Sequence, residues 1–139
     1  MSQSRIRMLI ESRLANWAAA RSPTLTVAWE NHPFTPPAGT YLRGFLLPAR
    51  TNSIDLASDH RGYLGIYQVD VVAPIGAGPG GAQGIAEEIA DLFPDSLRLT
   101  IASPAFAMQL ISPCSFGPAI ILENRYTIPV SFRYQADTF

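Results

Sequence analysis

Apolar residues near the start of the chain recur at the three- and four-residue spacing of an amphipathic helix. The stripe consists of Ile6, Leu9, Ile10, Leu14 and Trp17. Proline cannot donate a hydrogen bond within a helix, so Pro23 predicts that the helix ends by about Arg21. A second helix is predicted after the glycine-rich segment 76–81 and before Pro94. Its apolar stripe is Ala82, Ile85, Ala86, Ile89, Leu92 and Phe93.

Strands are indicated by short apolar runs and by strict alternation of apolar and polar residues. Alternation is clearest near the end of the sequence, where one face holds Tyr126, Ile128, Val130, Phe132 and Tyr134. Pro129 on the other face predicts that this strand lies at a sheet edge or carries a bulge. The other predicted strands are 25–29, 41–47, 63–73, 97–101, 107–111 and 119–122, and the last forms a hairpin with the alternating strand through Glu123 and Asn124.

The major elements follow the order α-β-β-β-α-β-β-β, with adjacent strands joined by hairpins. This order favours an α+β fold, in which two amphipathic helices pack on a mostly antiparallel sheet. A chain of 139 residues is one domain, which we assign to 1–139. Segment 31–39 is rich in proline and predicts an ordered loop. The polar segment 50–62 predicts a long hairpin excursion, a kind of loop that is usually functional or disordered.

Composition excludes several classes of function. Ten basic and eleven acidic residues nearly cancel, which argues against a polybasic nucleic-acid or membrane-surface binder. All ten basic residues are arginine, which either an interface or a GC-rich genome explains. Cys114 is the only cysteine, so an intrachain disulfide is impossible and a reducing compartment is the simpler expectation. The uncharged stretch 99–122 contains three prolines, which argue against a membrane span.

The patterns of small-molecule chemistry are weak. Gly76, Gly78 and Gly81 match the dinucleotide motif G-x-G-x-x-G, but Pro79 removes an N–H that would contact a pyrophosphate, which favours a tight turn. Asp55, Asp59 and His60 have side chains able to hold a divalent cation, although solvated loop charge is the better interpretation. His32 and Cys114 lie far from them in sequence. No nucleophile motif is present, so we predict neither catalysis nor a cofactor.

Charge on the two predicted helices suggests assembly. The second helix carries Glu87, Glu88 and Asp91 toward its C-terminal end, where the helix dipole disfavours negative charge. The first helix carries Arg5, Arg7, Arg13 and Arg21. One acidic and one basic helix allow head-to-tail contacts that close into a ring. The alternatives are that both faces are merely solvated, or that the helices pair within one subunit. The uncharged stretch 99–122 favours assembly, because charge is depleted at the centre of interfaces.

Three segments carry a resemblance to a known family. They are VAWENHPFTPPAGTYLR at 27–43, GIYQVDVV at 65–72, and FGPA at 116–119 followed by RYTIPV at 125–130. The chain resembles small prophage proteins that are similar to the tail terminator of long-tailed phages, and the order of elements matches over nearly the whole chain.

The resemblance implies a virion tail protein, made in the bacterial host cytoplasm, that caps the tail tube as a hexameric ring. Such a ring stops tube polymerisation and offers a surface for head attachment, and its partners are copies of itself, the tail-tube protein and head–tail connector proteins. DNA is expected to pass through the lumen without specific binding, with no cofactor and no membrane. A connector or tube subunit, or an enzyme that binds a nucleotide at 76–81, are the alternatives. The residue pattern alone supplies the candidate interface: Arg50, Asp55, Asp59, His60 and Arg61 on the long loop, and Glu87, Glu88, Asp91, Arg5 and Arg7 on the helices.

Overall fold

The computed structural model describes residues 2–22, 24–48, 52–53, 61–76, 78, 80–102, 106–122 and 124–138. These ranges contain two helices and nine strands. The helices are α1 (Ser2–Ala20) and α2 (Gly80–Leu92). The strands are β1 (Val27–Ala28), β2 (Tyr41–Pro48), β3 (Asn52–Ser53), β4 (Arg61–Pro74), β5 (Arg98–Ile101), β6 (Phe106–Leu110), β7 (Ser115–Phe116), β8 (Ile120–Leu122) and β9 (Arg125–Thr138).

The strands form one sheet in the order β1-β2-β4-β9-β6-β5, and the three short strands add to this path. β3 pairs with β4, whereas β7 and β8 pair with β9. At its centre β4 and β9 run antiparallel over 14 residue pairs, from Arg61 opposite Thr138 to Pro74 opposite Arg125. Each described pairing is antiparallel except that of β1 with β2, which is parallel. The predicted α+β fold and the order of its major elements are confirmed.

One face of the sheet packs against both helices and forms the core. Because side chains alternate between the faces of a strand, the register sends the odd residues of β4 and the even residues of β9 to the same side. Val69 lies opposite Val130 there, and Tyr67 opposite Phe132; all four side chains are buried. Ile6, Ile10, Leu14 and Ala18 of α1 are buried against this face at a spacing of four residues, which confirms the predicted stripe.

Helix α2 follows a turn in which Gly76 and Gly78 have positive φ angles of 86° and 80°, a conformation that glycine adopts without steric cost. Ala82, Ala86 and Ile89 are buried against the sheet. Just after the helix, the ring of Phe93 stacks on that of Phe132, with centroids 4.7 Å apart. The small residues of α2 therefore let the helix approach β9 closely.

The predicted edge position of the strand containing Pro129 is wrong, because β9 is central in the sheet. Pro129 faces Asp70 of β4 in register. On its other side, the backbone oxygen of Pro129 accepts a hydrogen bond of 2.9 Å from Gly117 N, in the gap between β7 and β8. A central strand tolerates proline here because the neighbouring strand is interrupted where the missing N–H would have donated.

A polar network ties α1 to the sheet beneath it. The buried hydroxyl of Tyr67 donates a 2.7 Å hydrogen bond to Glu11, and Arg7 pairs with both Glu11 and Glu30 at 3.1 Å. Glu30 also accepts a hydrogen bond of 2.7 Å from Leu46 N. Burial, and then the Glu11 carboxylate, raise the pKa of Tyr67. The stability that the neutral phenol confers is therefore complete below about pH 10 and is lost as the pH rises above that value.

We predict that Tyr67→Phe lowers the free energy of unfolding by about 1.5–3 kcal/mol, the usual contribution of a hydrogen bond to a charged group. Urea denaturation measures the change. Tyr126→Phe is the control, because the half-buried Tyr126 hydroxyl makes no hydrogen bond to a described residue. It should alter stability by less than about 0.5 kcal/mol. Equal stability of Tyr67→Phe and the wild type would contradict the role of the network.

Candidate interaction surfaces

The face of the sheet turned away from the helices is partly open, and we call it the open sheet face. We define it by ten outward side chains from the middle of β2, β4 and β9 and from Ile111 just after β6: Arg43, Phe45, Leu47, Ile66, Gln68, Asp70, Ile111, Pro129, Ser131 and Arg133. No helix packs on it within the described part of the chain.

One row across the open sheet face holds three exposed aliphatic side chains and one arginine. Leu47 lies opposite Ile66, Ile66 lies opposite Arg133, and Ile111 N donates a 2.9 Å hydrogen bond to Arg133 O. The three aliphatic side chains are 47%, 38% and 40% exposed, in the order Leu47, Ile66 and Ile111. Adjacent strands are about 4.8 Å apart, so this row brings three aliphatic groups and one guanidinium together within roughly 15 Å. Contiguous exposed apolar groups rimmed by polar ones mark interaction sites.

Next to the apolar row, the open sheet face carries a polar cluster. Asp70 is almost fully buried and accepts hydrogen bonds from Gln68 Nε2 at 2.7 Å and from Arg43 Nη2 at 3.3 Å. The Arg43 guanidinium thus neutralises the only carboxylate among the side chains described on this face. Arg133 and, on neighbouring β5, Arg98 are exposed and make no ion pair with a described residue. The described side chains of the open sheet face therefore carry net positive charge.

The other end of the same face is covered by the loop 31–39. Arg125 donates hydrogen bonds to Pro37 O at 2.7 Å and Gly39 O at 3.0 Å, and its guanidinium lies 5.5 Å from the centre of the Tyr41 ring. Phe34 packs against the same ring, with centroids 5.1 Å apart. The predicted ordered loop is confirmed, and Arg125 is committed to contacts within the chain.

A second surface lies on the helix side of the molecule. A groove of about 330 Å³ runs between α2 and the segment 116–119, and we call it the α2 groove. Its lining is Gln83, Ala86, Glu87, Phe116, Gly117, Ala119, Tyr126 and Ile128. Phe116 is 51% exposed, and Glu87 and Asp91 are exposed one helical turn apart. The α2 groove thus combines an apolar floor with negative charge.

The structure separates the charged residues that the sequence pattern grouped as an interface. Arg50, Asp55, Asp59 and His60 lie outside the described residues, and Arg61 is the first residue of β4. β2 and β4 are antiparallel neighbours, as expected for the arms of the predicted excursion. On α1, the guanidinium of Arg5 lies over the ring of Phe106, while Arg7 binds Glu11 and Glu30.

The two helices also pair with each other inside the subunit. Arg21 donates hydrogen bonds to both carboxylate oxygens of Glu88, at 2.8 and 3.2 Å, and Arg13 Nε donates to Leu92 O at 2.8 Å. Pairing within one subunit, an alternative that the sequence left open, therefore holds for Arg21 and Glu88. Only Glu87 and Asp91 of the acidic trio remain exposed and without an ion pair to a described residue.

This difference within the trio predicts different effects of charge reversal on stability. Glu88→Arg brings a guanidinium against Arg21, whose side chain is 15% exposed, and should lower the free energy of unfolding by about 1 kcal/mol. Glu87→Arg and Asp91→Arg should each change it by less than about 0.5 kcal/mol. Chemical denaturation of the three variants provides the comparison. A Glu88→Arg variant that matches the other two would show that the pair contributes nothing.

The described residues lend little support to ligand chemistry. They contain no group of three or more His, Cys, Asp or Glu side chains arranged to hold a metal ion. Gly76 and Gly78 lie between β4 and α2. A dinucleotide motif belongs to a parallel sheet, whereas β2 and β9, the strands on either side of β4, are both antiparallel to it. None of the helices within the described ranges has the length and apolar character that crossing a bilayer requires.

Cys114 is half-buried, and its thiol lies 3.5 Å from Phe93 O. Burial raises the pKa of the Cys114 thiol to about 11, so the thiol is protonated at neutral pH. Only the thiolate is an effective nucleophile or metal ligand.

We therefore predict slow alkylation of Cys114 in the folded protein. The pKa of the thiol is 9.0 ordinarily and about 11 in the folded protein. At mildly alkaline pH the thiolate fraction of the folded protein is therefore about 100-fold lower than that of the unfolded chain. Iodoacetamide should modify the native protein about 100-fold more slowly than the urea-unfolded chain, as mass spectrometry over time would record. Similar rates in the two states would contradict the raised pKa.

Sequence reasoning missed the apolar row of the open sheet face, although a signal was present. Ile66 breaks the alternation of β4, because it falls on the face of Gln68 and Asp70. Leu47 likewise follows the buried Leu46 on the opposite face of β2. Apolar residues in the polar phase of a half-buried strand indicate a surface that another molecule covers.

Comparisons with known proteins show which proteins this chain is similar to. The family profile described as phage tail terminator protein matches residues 5–134. One solved structure is 44% identical to the chain, with a TM-score of 0.84 over 100% of this chain and 98% of that one. A chain from the virion of a native gene transfer agent particle is 18% identical, with a TM-score of 0.53 over 90% of this chain and 93% of that one, which is a likeness of fold alone. The comparison with curated proteins gave no match.

The open sheet face and the α2 groove both expose apolar side chains. The chain belongs to the phage tail terminator family. It is a structural protein of the phage tail.

Proposed function

We propose that this protein caps the tail tube as a hexameric ring, stops polymerisation of the tube and offers the surface to which the head attaches. The family match over residues 5–134 carries this proposal. On this proposal the partners are five further copies of the chain, the tail-tube protein and the head–tail connector proteins, and the protein is made in the host cytoplasm before it joins the virion.

Two physical features are in keeping with that role. Apolar side chains remain exposed on opposite sides of the subunit, Leu47 and Ile66 on the open sheet face and Phe116 at the α2 groove, so that a subunit can contact one neighbour on each side. The formal net charge of −1 suits a lumen through which DNA passes without being bound. Neither feature requires catalysis or a cofactor.

Tails assembled without this protein test the proposal. We expect tubes of uncontrolled, excessive length in negative-stain images, because nothing then blocks the growing end, and tubes of uniform length once the protein is supplied in trans. Normal-length tails that lack heads would contradict a terminator and favour a connector. An absence of tubes would instead favour a tube subunit.

Purified protein mixed with tail tubes provides a second observation. Subunit rings of one stoichiometry should decorate tube ends and sediment with the tubes. A protein that stays monomeric at every concentration and never binds tube ends would contradict the proposal.

A further inference from the structure

We propose that the open sheet face of one subunit docks onto the α2 groove of a second copy of this chain, with the exposed aliphatic row against the apolar floor and Arg133 against Glu87 and Asp91. This inference rests on the proposed function, because it assigns the surfaces that join neighbouring subunits in the ring.

The open sheet face has the composition of an interface centre. Leu47, Ile66 and Ile111 are exposed in one row, and the only charged member of that row is Arg133. Arginine together with apolar groups is enriched at interface cores, whereas acidic residues are depleted there. A surface that binds phosphate does not need three exposed aliphatic side chains, so the row favours a protein partner over nucleic acid.

The α2 groove offers the complement in both shape and charge. The groove is concave, and the half-exposed ring of Phe116 lies at its wall. Glu87 lines the groove and Asp91 follows one turn later, and neither makes an ion pair with a residue in the described ranges. The dipole of α2 disfavours carboxylates toward its C-terminal end, so an arginine from outside the subunit would relieve that repulsion.

A contact between two different surfaces of the same chain is heterologous. Each subunit then uses its open sheet face toward one neighbour and its α2 groove toward the other. Such contacts close into a ring when the rotation between subunits permits and otherwise grow into a filament. The helical arginines Arg7 and Arg13 are engaged within the subunit, whereas Arg133 of the open sheet face makes no ion pair with a described residue and is available to α2.

Charge-swap variants of the full chain test the contact. Arg133→Glu reverses the charge that the open sheet face presents to its neighbour. The double variant Glu87→Arg with Asp91→Arg reverses the charge beside the α2 groove. Each variant alone places like charges together, and we expect at least about a tenfold loss of rings on tube ends, scored by negative stain and by sedimentation with tubes that lack this protein.

An equal mixture of the two variants should restore ring formation. In the mixture each intact surface meets an intact partner, and the new glutamate of one variant meets the new arginines of the other. Alternating subunits close a ring of even number, so three of each complete a hexamer. Rescue by mixing separates a specific contact from misfolding, because a misfolded variant cannot be rescued in this way.

Matched controls isolate the apolar row. Ile66→Glu should abolish rings, whereas Met8→Glu, which changes a side chain of similar exposure on α1, should leave them intact. If wild-type chains form no rings on tubes, the proposed function fails and the contact with it. If wild-type rings form and the charge-swap variants form them equally well, the contact alone is wrong. Loss of affinity for DNA in Arg133→Glu while rings persist would overturn it in favour of nucleic-acid binding.

Discussion

Antiparallel pairing of β4 with β9 over 14 residues is the constraint on which the rest of the structure depends. A strand repeats every two residues, so one register decides which side chain of each strand meets the helices. Val69 and Val130 meet in the core because of this register, while Asp70 and Pro129 meet on the opposite face. A shift of one residue would turn Gln68 and Asp70 toward the helices and Tyr67 away from them. The core, the open sheet face and the network around Tyr67 therefore share a single geometrical cause.

The helices and the long strand β9 were predicted correctly because the spacing of apolar residues within each segment is enough to identify the element. In α1 the spacing of Ile6, Ile10 and Leu14 identifies the apolar side of the helix. In β9 the alternation from Tyr126 to Tyr134 does the same for the strand, and neither pattern depends on what the element packs against. The prediction that Pro129 lies in an edge strand was wrong because it depended on residues outside its own segment. Whether a proline lies at an edge depends on which strands lie beside it, and the interruption between β7 and β8 is a property of residues more than ten positions away. Strands of two residues, such as β7, are too short to show any period.

Candidate interface residues were harder to predict. The prediction relied on charged side chains and gave too little weight to apolar residues at the outward positions of strands. Charged side chains on α1 suggested a basic face, yet Arg7, Arg13 and Arg21 all bind groups within the subunit. Only the folded chain brings Arg21 to Glu88, since 67 positions separate them in sequence. The acidic face of α2 was predicted at the residue level, and two of its three carboxylates are exposed there. The aliphatic row needed the register of four neighbouring segments, which no single stretch of sequence contains.

The middle strand of the sheet comes after all of its neighbours along the chain. During synthesis at the ribosome, β4 and β6 emerge before β9, which pairs with both of them. Until β9 is available, β4 and β6 each have an edge without its partner strand. The apolar faces of both helices then lack part of the sheet against which they pack. Such intermediates are prone to associate with other chains. A chain with this topology gains most of its cooperative structure late in translation, so folding as a whole is delayed until the segment 125–138 has left the exit tunnel.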